Sequence, residues 1–436
     1  MKLPAALQNL TSALIQRQKE RKRLRGPADL HYAIADSISM LDAGSWNEVT
    51  TQSAQASFFM SHDYLSALEQ VLPLNLSARY ALIFSGEGSE RQIIAAVYMQ
   101  IADITLAQAR PEKPAGNADR TGNKAAAKKW GLPLEQLDKL AQQTRQRILT
   151  CGNFLTFGQH GIAFAKDVDT QLAWHGVVEV LYRVRQAEKL AGKTHFVMIK
   201  DLHEPYISQA AHLENLSYRY VETEPNMVLD LAPDWKSYDD YLASLASKYR
   251  SSIRNAVFKP IDEAGCTVEK LDDLTPVLDD IYALYKAVQV NADFRPIELL
   301  PEYFPVLQAV AADRFLCSVI KREGKLLGFL ISVADGDTAI AYHIGFDRVA
   351  AEELPIYLRL LHAGIADAIT LGCKQVSFGR TALEPKAALG AKPQNFGVFI
   401  RHRQPVLNKL IKRLLLGIEH DDAPERNPFK KEKAAK

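Results

Sequence analysis

At 436 residues, 47% hydrophobic and 24% charged, the chain has room for two ordinary globular domains. Its net charge of +2 neither demands nor excludes an anionic partner. No apolar run reaches membrane-span length. The N-terminus is not a secretory signal, because Gln8, Asn9, Thr11 and Ser12 interrupt its apolar part and the charges follow it, so a cytoplasmic protein is expected. Cys151, Cys266, Cys317 and Cys373 lie far apart, without zinc or redox spacing, and read as reduced core thiols; no metal is expected.

Residues 5–25 read as one helix, with Leu7, Leu10, Leu14 and Ile15 in a stripe and Arg17, Lys19, Arg21, Lys22, Arg23 and Arg25 at its end. Those cations suit the helix macrodipole, and Gly26-Pro27 stops the helix. A helix docked by its leucines and a peripheral contact with an anionic membrane or RNA both follow from this pattern. A first domain is predicted over 27–224. After the segment 46–68 comes a hairpin of Tyr80–Phe84 and Ile93–Ile101 around Gly86-Glu87-Gly88. Residues 106–129 are polar and read as an insertion. A strand (154–164), a helix (171–190), a strand (195–200), a helix (206–214) and a strand (218–222) follow.

A second domain is predicted over 225–415. Helices are expected at 238–257 and 278–291, strands at 315–321, 326–334 and 338–346, a helix at 355–371 and a strand at 375–378, and the segment 407–415 closes the domain. Residues 416–436 read as a basic, disordered tail. Hairpin, strand, helix and strand thus occur twice, which is a structural duplication in an α/β chain with mixed sheets.

One stretch carries a resemblance. After the strand Val228–Leu231 and a turn at Pro233 comes a helix with Tyr249, Ile253 and Val257 on one face and Arg250 and Arg254 on its neighbour. Two guanidiniums at that spacing make an anion-facing patch or a solvated basic edge. The run Y-x-x-x-L-A-S-K-Y-R-x-x-I-R-x-A resembles the second half of the Fem-like acyltransferases of the GNAT superfamily. Ile344-Gly345-Phe346-Asp347, the Leu354-Pro355 helix start, Leu371-Gly372-Cys373 and Val376-Ser377-Phe378-Gly379-Arg380, with Lys386 beyond, are similar to that family's pattern. The resemblance runs from about residue 225 to about 403. It implies a tandem GNAT fold and transfer of an acyl or aminoacyl group to an amine, with acyl-CoA as co-substrate or aminoacyl-tRNA as donor. The acceptor would be a small amine or a cell-wall precursor, and DNA is not an expected partner.

Acyl transfer to an amine needs a proton acceptor, donors for the oxyanion and a proton for the leaving group. Simple alternation along 338–347 puts Ile340, Tyr342, Ile344 and Phe346 on one face and Ala341, His343, Gly345 and Asp347 on the other. His343 and Asp347 are therefore the candidate proton handlers. Gly345 would let substrate approach the backbone, and Tyr342 is the alternative proton donor to the leaving group. The turn 348–353 keeps only Arg348 and one small residue of the phosphate loop usual in GNAT enzymes. Arg380, Lys386, Arg348, Arg250 and Arg254 are expected to bind the donor's phosphates, and Arg295 and Asp293 to contact substrate. The alternative reading is a non-catalytic protein that holds a cell-wall precursor, lipid or nucleic acid on a degenerate GNAT fold. A splayed strand pair beside His343, Gly345 and Asp347, open to solvent and to the Arg380 loop, would favour catalysis, and a cleft plugged by side chains would favour binding or structure.

Overall fold

The computed structural model describes residues 29–105, 145–289, 297–415, 424 and 426–430, together with Ile15, Gln16, Gln18, Lys19 and Lys22, which are helical. The rest of the expected N-terminal helix, the insertion at 106–129, and Asp293 and Arg295 lie outside the described residues.

Two mixed sheets form the molecule. The first holds β1 (Leu30–Ala35), β2 (Leu76–Ser85), β3 (Gln92–Thr105), β4 (Arg145–Cys151), β5 (Ile162–Phe164), β6 (Phe196–Leu202) and β7 (Arg219–Glu222). The second holds β8 (Asn226–Asp230), β9 (Cys266–Leu271), β10 (Phe315–Arg322), β11 (Lys325–Asp335), β12 (Thr338–Phe346), β13 (Gln375–Ser377) and β14 (Lys392–Gln394). The chain passes from one sheet to the other between Glu222 and Asn226. It then returns: β15 (Gly397–His402) inserts between β6 and β7. Residues 397–415, expected in the second domain, therefore complete the first sheet. Ladder pairing of β15 on both sides satisfies its backbone more fully than an edge position would.

The halves also share a core. Trp46, Phe59, Tyr64, Tyr80 and Tyr98 pack in one cluster with Tyr303, Phe304, Phe329 and Tyr342. Helix Thr170–Ala187 covers the first sheet's other face through Trp174, Val177, Val180, Leu181 and Val184. Helix Ile356–Thr370 covers the second through Leu360, Leu361 and Ile365.

Three local expectations are corrected. The strand at 154–164 is a strand only from Ile162; Gly152 and Gly158 take positive φ, and Asn153, Thr156, Gln159 and His160 are buried polar residues of a loop. The helix at 238–257 breaks at Leu245–Ala246. There residues 428–430 dock: Ala246 N donates to Pro428 O (2.9 Å), Lys430 N donates to Ser244 O (3.0 Å), and the Phe429 ring packs against Trp235 at a tilt. The described part of the tail is thus anchored, and a Cβ on Gly390 would meet Phe429 Cε2 at 2.5 Å. Finally, residues 254–258 form a wide turn ahead of Pro260, which has no N–H and crowds the preceding turn. Ile253 and Val257 are nevertheless buried, as their spacing predicts.

Candidate functional site

The site is built where β12 and β13 part. The two strands are parallel and pair only from Thr338 to Ile340 against Gln375 to Ser377. Beyond that, β13 ends while β12 runs on to Phe346. The gap is a cleft of about 460 Å³ that passes through the sheet. Tyr357 and Leu361 wall it on one side, Phe157 and Val288 on the other, and Ala341, Tyr342, Ile344, Phe378 and the 379–382 turn border it.

A β-bulge sets which β12 side chains reach this cleft. His343 pairs Ile331 and Ala341 pairs Ser332, so Tyr342 is an extra residue without a partner. Alternation changes phase there. Ile340, Tyr342, His343 and Gly345 all face the helices Leu278–Gln289 and Tyr303–Ala311, whereas Ala341, Ile344 and Phe346 face the other side. The expected faces are therefore wrong beyond residue 342.

The consequences differ residue by residue. His343 sits among the rings of Tyr285, Tyr303, Phe304 and Tyr342, and its Nε2 is buried with no partner. Burial pushes its pKa down to about 3, so it is a poor proton acceptor. It does not line the cleft. Asp347 caps helix Arg348–Glu353, accepting from Val349 N (3.0 Å) and Ala350 N (3.2 Å), and pairs with Lys325 (3.0 Å). The Lys325 hydrogen bond is the main reason its pKa lies below the ordinary value. Gly345 is needed for packing: a Cβ there would meet Phe329 Cε1 at 2.4 Å and the Leu284 carbonyl carbon at 2.7 Å.

Tyr342 is the reactive candidate that the cleft retains. Its hydroxyl meets the Tyr303 hydroxyl at 2.6 Å and donates to Leu155 O at 2.9 Å. Burial holds its pKa well above the ordinary value, so the phenol keeps its proton at neutral pH.

Of the cations expected to bind phosphate, Arg380 and Lys386 line the cleft, and both are already held by groups of the protein. Arg380 pairs with the fully buried Asp201, which also pairs with Lys200 and accepts from Gly158 N (3.1 Å). Burial alone would raise the Asp201 carboxyl, but Lys200 and Arg380 hold it below its ordinary value. Lys386 is 3% exposed, and its ammonium donates to the carbonyls of Gly379 (3.1 Å), Arg380 (2.6 Å) and Thr381 (2.8 Å). Burial pushes its pKa down to about 7, with Glu224 pulling the other way. It thereby holds a turn in which Gly379, Thr381 and Ala382 all have positive φ. Arg250 and Arg254 do not line the cleft, and Arg348 is exposed on the first turn of its helix.

A second, polar pocket of about 230 Å³ lies between the halves, and the Phe157 ring borders both cavities. Asp335 accepts there from the Ser57 hydroxyl (2.9 Å) and Phe58 N (2.6 Å), with His160 Nε2 at 3.4 Å. His160 Nδ1 meets Thr156 Oγ1 at 2.8 Å. Both polar atoms of the Gln159 carboxamide, and Gln55 Oε1, are buried without a partner. Sequence reasoning left His160 without a role and missed Gln159, Asp335 and Asp201, which sit in unrelated motifs and meet only in the fold. Among the described residues, the one group of ligand atoms close enough for a metal is Asp29, His31 and Glu87, all exposed and lining neither cavity.

Comparison with known proteins agrees with this geometry. Residues 247–387 match the family described as acetyltransferase (GNAT) domain. The segment is a GNAT domain. It contains the whole parted strand pair, and the enzyme is an N-acyltransferase with a Fem-like, tandem GNAT fold. The fold is shared with the crystal structure of FemX at 12% identity and a TM-score of 0.50, over 85% of this chain and 98% of that one. A tandem GNAT protein from the clavulanic acid biosynthesis pathway aligns at 11% identity and a TM-score of 0.48, over 86% of this chain and 99% of that one. A GCN5-related N-acetyltransferase from Sphaerobacter thermophilus aligns at 13% identity and a TM-score of 0.43, over 87% and 97% respectively. No curated protein matches the chain. No helix among the described residues is long and apolar enough to cross a membrane.

Proposed function

We propose that the enzyme moves an acyl or aminoacyl group from a phosphate-bearing donor, a CoA thioester or an aminoacyl-tRNA, to an amine by direct attack. The observation that carries this reading is the open splay between β12 and β13, walled by apolar side chains and bordered by a protonated tyrosine. An extended thioester arm fits such walls, since Ala341, Ile344 and Phe378 offer apolar contact and the unpaired strand edge offers backbone groups. GNAT domains use acyl-CoA. The splay opens to the Arg380 loop, as a catalytic site requires, but it lies beside Tyr342 and Ile344 and not beside His343, Gly345 and Asp347.

The amine would enter from the polar pocket across Phe157 as its neutral free base, where the Asp335 carboxylate accepts from its N–H groups and the unpartnered Gln159 amide adds a hydrogen bond. Nitrogen attacks the acyl carbon and the bond to sulfur or ribose oxygen breaks. Tyr342 gives its proton to that leaving atom, backed by the Tyr303 hydroxyl, and regains one from the new amide nitrogen. A peptide-bearing cell-wall precursor presents such an amine.

The test is turnover with a panel of CoA thioesters and charged tRNAs against amine acceptors. Tyr342→Phe should lower kcat by about 10²–10⁴ while His343→Ala keeps most of it. Full turnover by the Tyr342→Phe enzyme would remove the tyrosine from the mechanism. No transfer from any thioester or tRNA would remove the donor class.

A further inference from the structure

One end of the first sheet, where β6 begins and β15 ends, has no part in the chemistry above. Arg185, Lys189, Lys193, Arg401 and Arg403 line a surface cleft of about 480 Å³, and no carboxylate lines it. Glu188, the acid nearest in sequence, is turned to Arg79 and to Arg147 (2.7 Å) instead. Arg401 and Arg185 both act on the Tyr218 phenol, so their charges converge. Lys189, Lys193 and Arg403, exposed together at this cleft, repel one another unless an anion covers them.

Unusual apolar exposure accompanies these cations. Leu190, next to Lys189, is fully exposed (101%). Arg403 N donates to His195 O (2.9 Å), so the 189–195 turn abuts the start of helix Pro405–Leu415. That helix lies on the sheet through Asn408 and Ile411, both buried. The Asn408 side chain donates to Ser217 O (2.8 Å) and accepts from His402 N (2.7 Å). Its outer stripe is Val406, Leu407 and Leu410, exposed at 72%, 41% and 40%, with Lys409 exposed beside them.

We infer that this end is a docking surface for an anionic lipid bilayer. The helix would lie in the interface, its aliphatic stripe and Leu190 at the acyl boundary and the cations on headgroup phosphates. A nucleic acid would engage the cations but leave four aliphatic side chains wet. A second copy of the chain, docked by the same face, would bring two sets of like charge together. The contact so described is peripheral and salt-sensitive.

Cosedimentation of the full chain with vesicles tests this. One vesicle set contains equal parts phosphatidylglycerol and phosphatidylcholine, the other phosphatidylcholine alone. Residues 1–28 stay unchanged in every variant, so any attraction they add is common to all. The protein should partition onto the mixed vesicles and not the neutral ones, and release at high salt. Neutralising Lys189, Lys193 and Arg403 together to Gln should lower partition about 100-fold, at ~5-fold per cation. Val406→Ser with Leu410→Ser should lower it about 10-fold without changing attraction to a cation-exchange resin. If the serine variant fails to fold, the charge variant decides alone. Equal binding to both vesicle types, variants that bind like the parent, retention on RNA without vesicle binding, or a dimer that the serine variant dissociates would each overturn the inference.

Discussion

Lys386→Met separates a phosphate-binding lysine from one that holds a turn. Methionine keeps the buried stem but removes every donor, leaving the carbonyls of Gly379, Arg380 and Thr381 without their partner. An unsatisfied buried acceptor costs about 1–3 kcal/mol. Against that stands the relief of an ammonium that burial disfavours, with its pKa held at about 7 against 10.5 for a free lysine. The two terms have different pH dependences. Below pH 7 the lysine is charged both folded and unfolded, and the parent carries the full desolvation penalty. Between about 7 and 10.5 the unfolded chain binds the proton that the folded one releases, so the parent's stability rises by about 1.4 kcal/mol per pH unit. The methionine variant lacks that rise. Its deficit should therefore widen from small near pH 7 to about 3 kcal/mol two units higher, since the neutral amine still donates two of the three bonds. Urea unfolding at several pH values between 7 and 9.5 measures it. A deficit independent of pH, or a variant as stable as the parent at pH 9.5, would refute the reasoning. Loss of donor affinity with unchanged stability would return Lys386 to the role its motif suggests.

Three further outcomes follow from the same geometry. Asp201→Asn should destabilise by about 3–5 kcal/mol, because Lys200 and Arg380 are then left around a buried neutral amide; thermal melting reads it, and a wild-type melt would mean water already screens the cluster. Gly345→Ala should cost about 3 kcal/mol by pushing helix Leu278–Gln289 off β12, measured as a lowered urea midpoint. Asp347→Ala should cost about 1 kcal/mol through the lost helix cap and leave the chemical step intact, so a 10²-fold fall in single-turnover rate would restore it to the reaction.

Most helices and strands were legible because each rests on local periodicity: the β2–β3 hairpin, the helix from Thr170, and the β10–β12 meander follow their patterns. What failed depended on partners far away in sequence. Alternation along β12 is sound only while the ladder is regular. The extra residue at Tyr342 is a property of its register with β11, which no pattern within β12 expresses. No strand is expected at 397–402 from the sequence, and the place of β15 between β6 and β7 follows from the gap those strands leave. The same limit explains the cations. Arg380 and Lys386 carry the right chemistry for phosphate, yet Asp201, 179 positions away, and three carbonyls of one strained turn reach them first. Charge read along a chain reports what a side chain can bind, while the fold decides what it meets. In this enzyme that decision fixes the lip of the cleft with Arg380 and Lys386, beside a tyrosine, apolar walls and an unpaired strand edge.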